Sequence, residues 1–156
     1  HGAWVPLMHL LPQAQVPVLQ LALPMGAGPA EVYAVGQALS GLRQQGVLLL
    51  GSGSMTHNLR EFFTLQPPHA AAPAAYVQDF SRWVESMLVT HNLDMLLHYR
   101  DHAPWAARAH PTDEHFLPLF FALGAANWGG AARPRVEYLS REVVHGYLAM
   151  DALALY

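Results

Sequence analysis

The sequence predicts an α/β fold: a mostly parallel central sheet flanked by helices, forming part of a larger single domain. Three observations carry that reading. Residues 16–23, "VPVLQLAL", and 47–50, "VLLL", are apolar without alternation, the pattern of strands buried on both faces. Between them, Val32, Val35, Leu39 and Leu42 recur at helical spacing. Strand, helix, strand over about 35 residues is the pattern of a right-handed crossover joining two parallel strands.

The elements follow in order. Residues 1–11 are aromatic and apolar, with Pro6 early and Pro12 after, and read as a short helix or turn. Pro24 closes the first strand, and "MGAGP" is a loop. Pro29, with its fixed φ and missing N–H, suits the first helical position, and Gly46 suits the C-cap of a helix ending at Gln45. "QPPHAAAP" is a Pro/Ala-rich connection. Val77, Phe80, Val84 and Leu88 place a helix over 74–90, and residues 93–99 form another short one. "HPTDEHFLPLFFALG" reads as a helix with Thr112 as N-cap, Asp113 and Glu114 at its positive end, and a stop at Gly124. Pro118 conflicts with that reading and predicts a kink or restart. "ANWGGAARP" is a loop, and "RVEYLS" and "GYLAMDALALY" are strands.

Composition narrows the function. The chain has 156 residues, of which 53% are hydrophobic and 12% charged, enough apolar matter for a core. The net charge is −3 with histidines neutral, and no stretch forms a basic arm, so a nucleic-acid surface is not expected. Cysteine is absent, which removes disulfides and thiolate metal sites and suits a reducing cytoplasm. No apolar run approaches the roughly 20 residues that span a bilayer, so no membrane partner is expected. Histidine is abundant: ten against eight Lys plus Arg. It is the common imidazole metal ligand and proton carrier.

The candidate chemistry begins with "GSGSMTHNLR", which follows the second apolar run. Ligands in open α/β sheets bind beyond the carboxyl ends of strands, and His57 lies seven residues past Leu50. Gly51 and Gly53 let backbone approach closely or adopt positive φ. A loop capped by Thr56 around a buried, satisfied histidine explains the same letters, so both readings stand. The loop lacks the third glycine of a dinucleotide fingerprint, the Lys of a phosphate-binding loop and the G-x-S-x-G of a serine elbow. His110 and His115 flank "PTDE" and are five apart, off any common helix face. His115, in the expected first helical turn, is the candidate metal ligand, with Glu114 as the alternative. His110 reads as a solvated loop or cap residue. His9, His69, His91, His98, His102 and His145 show no ligand spacing and are assigned to surface or packing. The Trp and Phe residues read as core, with Trp4, beside His1, as the exception.

The ordered set "HGAWVPL", "VPVLQLAL", "LRQQGVLLLGSGSMTHNLR", "HPTDEHFLPLFFALGA" and "LAMDALAL" resembles the C-terminal part of class III extradiol ring-cleaving dioxygenases, in the 4,5-DOPA extradiol dioxygenase branch. The resemblance covers essentially all 156 residues. It implies an enzyme that inserts O2 into a catechol at a non-haem Fe(II) centre, with Zn(II) possible in the same site. His57, in "THNL", matches the acid–base histidine; His115, in "EHFLPL", matches a metal ligand; and His1, in "HGAW", matches a substrate-side histidine, with Trp4 beside it. The family's "HGSP" and "SAHW" motifs do not occur in this sequence. The resemblance therefore implies a preceding segment of about 100 residues, sized for a larger single domain, that supplies two further histidine ligands and neighbouring strands. Residues 1–156 are then the C-terminal portion of the catalytic domain. Two other readings use the same features: a zinc-dependent hydrolase with metal-bound hydroxide as nucleophile, and a truncated, non-catalytic domain that binds a partner.

Overall fold

The computed structural model describes residues 2–65, 68 and 71–156. Eight α-helices and four short strands follow one another among them: α1 (Trp4–Leu10), α2 (Pro29–Leu39), α3 (Leu59–Leu65), α4 (Ala75–Val89), α5 (Leu93–Leu97), α6 (Tyr99–His102), α7 (Ala106–Ala109), α8 (Leu117–Ala125), β1 (Val136–Ser140), β2 (Val143–Val144), β3 (Leu148–Ala149) and β4 (Ala152–Leu155).

The helices form where local rules favour them. Pro29 opens α2, and the Glu31 carboxylate accepts from the Gly28 N–H at its start. The last turn tightens into a 3₁₀ helix, Ser40–Gln45, and stops at Gly46 with φ 79°. In α4, Val77, Phe80, Val84 and Leu88 are buried on one face, as their spacing predicts. In the last long helix the Pro118 conflict resolves as a restart. α8 begins at Leu117, with Pro118 in its first turn, where a missing N–H costs nothing. Thr112 therefore caps no helix; residues 113–116 form a turn in which Phe116 N–H and Leu117 N–H both donate to the Asp113 carbonyl.

α8 is apolar on nearly every face and sits in the middle of the core. α2 lies along it so closely that Gly36 and Gly124 are required. A Cβ on Gly36 would collide with the Phe121 carbonyl, and one on Gly124 with the Tyr33 carbonyl. Phe80, Tyr99, Phe116 and Phe120 interlock beside this crossing, with Phe80 and Phe116 edge to face at 5.3 Å and Phe116 and Phe120 at 5.2 Å.

The mixed helix and strand composition is that of an α/β chain, but the expected parallel central sheet is not formed by the described residues. Their sheets are two antiparallel ribbons: β1 with β4, Val136 opposite Leu155, and β2 with β3, Val143 opposite Ala149. Residues 16–23 and 47–50 form no regular secondary structure and enter neither ribbon. The reason is that an apolar run encodes a preference for burial on both faces, while a ladder also needs a neighbouring strand to bond with. Without one, the side chains stand in water: Leu19 is 98% exposed and Leu48 is 68% exposed.

Candidate active site

The loop after the second apolar run is fastened along its length. Ser54 N–H donates to the His115 carbonyl at 2.8 Å, Met55 N–H to the Ala149 carbonyl at 2.9 Å, and His57 N–H to the Ala109 carbonyl at 2.8 Å. Thr56, fully buried, donates from Oγ1 to the Tyr147 carbonyl at 2.9 Å and accepts from Ala149 N–H at 2.9 Å. The short β2–β3 ribbon thus serves as the anchor of the loop. Its glycines are needed for approach. A Cβ on Gly51 would strike the Pro118 carbonyl, and one on Gly53 the His115 carbonyl.

Asn58 closes the loop. Its Oδ1 accepts from Glu61 N–H at 3.0 Å, starting α3, and its Nδ2 donates to the Arg108 carbonyl at 2.7 Å. The Asn-x-x-Glu spacing "NLRE" carries that signal in the sequence, and Asn58 rather than Thr56 supplies the cap.

On this frame His57 and His115 stack face to face, with ring centroids 3.5 Å apart and planes 14° from parallel. His115 stands in the turn before α8, not in its first helical turn, because the helix restarts at Leu117. Glu114 reaches His115 with Oε1 3.3 Å from Nδ1, and Thr112 Oγ1 donates to that same Glu114 oxygen at 2.7 Å. The Thr112 hydroxyl is the first cause holding the Glu114 carboxyl below its usual range. Burial, followed by the neighbouring His115, lowers the pKa of His57, against an opposing pull from Glu114. A neutral imidazole that can accept a proton is therefore the favoured state of His57 near neutrality.

His110 corrects an expectation. It is not a solvated cap but fully buried, with Nε2 2.8 Å from the Met55 carbonyl and its ring stacked on Phe116 at 4.8 Å. Burial pushes its pKa down to about 4. Sequence spacing held no signal for this, since the partner carbonyl lies 55 residues away. The other histidines divide as surface and packing residues: His9, His98 and His102 are exposed, His91 stacks on Trp128 at 4.9 Å, and His145 meets Phe62 edge to face at 5.0 Å. His1 and His69 lie outside the described residues. Trp4 opens α1 and is half-exposed, and the segment leading to it reaches the loop, since a Cβ on Gly2 would lie 3.7 Å from Ser52 Oγ.

Among the described residues no group of three His, Asp or Glu side chains is placed to enclose a metal ion. His115 and Glu114 stand together with no third such side chain among the described residues. A cavity of about 500 Å³ between the end of α4 and β1 is lined by neither His57 nor His115. No helix is long and apolar enough to cross a membrane among the described residues.

Residues 1–148 match the family described as "Catalytic LigB subunit of aromatic ring-opening dioxygenase". Curated relatives named "4,5-DOPA dioxygenase extradiol" include one from Beta vulgaris, 40% identical over 126 residues, covering 81% of this chain and 46% of the relative. One from Mirabilis jalapa is 38% identical, covering 90% and 50%, and one from Escherichia coli K12 is 32% identical, covering 83% and 47%. The chain thus spans about half the length of the curated relatives it matches. A crystal structure of an uncharacterized protein from Escherichia coli K12 superposes with a TM-score of 0.82 at 26% identity, over 98% of this chain and 61% of that one.

Proposed function

This chain belongs to the family of catalytic LigB subunits of aromatic ring-opening dioxygenases, and from that premise we propose that it carries the acid–base side of an extradiol ring-cleaving site. The substrate is a catechol, with DOPA, named in the relatives, as the first candidate. The observation that carries this reading is the stacked pair of His57 and His115 on two mutually fastened segments.

In this reading, His57 takes a phenolic proton from the bound catechol and returns one later, a role for which a neutral imidazole at the end of a rigid loop is suited. His115 would hold a non-haem metal(II), Fe(II) or Zn(II), which would supply the binding of catechol and O2. The described residues do not amount to a ligand set, so further donors must come from elsewhere in the functional protein. Trp4 and His1 are assigned to the substrate side on the family resemblance.

Residues 1–156 are accordingly the C-terminal portion of a larger catalytic domain. The exposed apolar segments 16–23 and 47–50 support this, since each has the composition of a strand covered on both faces. The lack of cysteine fits a reducing, cytoplasmic setting. The test is oxygen uptake by the full-length, metal-loaded protein with DOPA and with simple catechol. Stoichiometric O2 consumption with appearance of a ring-opened, coloured product supports the reading; binding of metal with no O2 consumption on any catechol defeats it.

A further inference from the structure

His110 lies at the junction of the two segments that carry the histidine pair. Its Nε2 is 2.8 Å from the Met55 carbonyl, two residues before His57. A carbonyl only accepts, so Nε2 carries the proton, and Nδ1 is buried without a hydrogen-bond partner. Its backbone is held on the other side. Arg100 Nη1 donates to the His110 carbonyl at 2.6 Å, and the same guanidinium pairs with the Asp113 carboxylate, which also accepts from Tyr99 Oη at 2.8 Å. The Asp113 carbonyl in turn receives Phe116 N–H and Leu117 N–H, fixing the turn from which His115 projects. Met55, His110, Arg100 and Asp113 therefore form a continuous chain of bonds from the His57 loop to the His115 turn. A purely structural filler at this place, among Phe80, Tyr99 and Phe116, would be a phenyl ring; an imidazole adds one donor, aimed at the loop.

We propose that His110 is a positioning residue: by donating from Nε2 to the Met55 carbonyl, its buried ring sets the face-to-face spacing of His57 and His115. It touches neither substrate nor metal. The inference rests on the roles proposed above for the pair, and its consequence is that the acid–base group and the metal ligand are held in one register.

The test uses the full-length, metal-loaded protein with catechol as the probe. His110→Phe keeps the aromatic packing and removes the donor; His110→Gln returns an amide N–H close to the Nε2 position. His110→Phe is expected to lower kcat per bound metal by about 10- to 100-fold, the cost of a small misplacement of a reacting group, while KM changes by less than about threefold. His110→Gln is expected to recover most of that loss. If His110→Phe does not fold, His110→Asn replaces it, because its shorter amide does not reach Met55. Equal kcat per bound metal in wild type, donor-lacking and Gln variants would overturn the proposal and leave His110 a packing residue. Crystal structures of the same variants give a reading independent of turnover. Rings of His57 and His115 that part in the donor-lacking variant and restack in His110→Gln support the proposal; rings that stay stacked throughout overturn it. If the wild-type protein consumes no O2 with catechol, the functional reading fails by itself, and the ring geometry still decides the role of His110.

Discussion

Two regions of this molecule share an apolar composition and have opposite fates. α8, "LPLFFALGA", is buried along most of its length between α2 and the aromatic cluster. Residues 16–23 and 47–50, equally apolar, leave Val16, Val18, Leu19, Leu21, Val47, Leu48 and Leu50 exposed. The difference is one of backbone bonding. A helix satisfies its own N–H and C=O groups and needs only a packing surface, whereas a strand is completed by a neighbour. The helical region completes its own backbone bonds and is buried, whereas segments 16–23 and 47–50 join no ladder and leave apolar side chains exposed.

Substitutions sharpen that contrast. The largest effect is expected at Phe80, fully buried among three aromatic rings, where Phe80→Ala should cost about 4 kcal/mol by denaturant titration. A loss below about 1 kcal/mol would mean that the helical core is not close-packed. Acid comes next. Burial lowers the pKa of His110 from 6.5 to about 4. Between those values the unfolded chain holds a proton that the folded chain refuses. The stabilisation is therefore complete above about pH 6.5 and is lost as pH falls toward 4, by roughly 3 kcal/mol. Stability measured from pH 7 to 4 should show this slope in wild type and a clearly shallower one in His110→Gln, where the lowered His57 leaves a remainder. A slope unchanged by the substitution would assign the proton uptake to other groups.

Gly124→Ala should follow, at about 1–3 kcal/mol, because its methyl collides with the Tyr33 carbonyl across the α2–α8 crossing. The smallest effect is expected in the open region. Leu48→Ser should change the stability of residues 1–156 by no more than about 0.5 kcal/mol. The same substitution should cost the full-length protein about 2 kcal/mol, if Leu48 is covered there. Equal effects in both would mean that the exposed segments have no covering partner.

The same contrast explains what was legible in the sequence. Pro29, Gly46 and the Val77, Phe80, Val84, Leu88 stripe act within one or two turns of chain, and the helices appear where those residues place them. Pro118 signalled a restart, although the position of the restart displaced Thr112 from its expected cap and moved His115 out of the helix. The pairing of strands was not legible, because apolar runs do not name their partners. Nor was His110, whose burial depends on a carbonyl far along the chain. His57 was legible as a candidate from its glycine-rich approach, but its stacking on His115 was not, since no spacing relates positions in two separate loops.

In the proposed site, His57 and His115, though in contact, divide the work of proton transfer and metal binding. Metal content and O2 uptake of full-length His57→Ala and His115→Ala test it most directly. His57→Ala is expected to retain its metal and lose about 10²- to 10⁴-fold in turnover, while His115→Ala is expected to lose metal and turnover together. Loss of metal from His57→Ala, or a full complement of metal in His115→Ala, would contradict it.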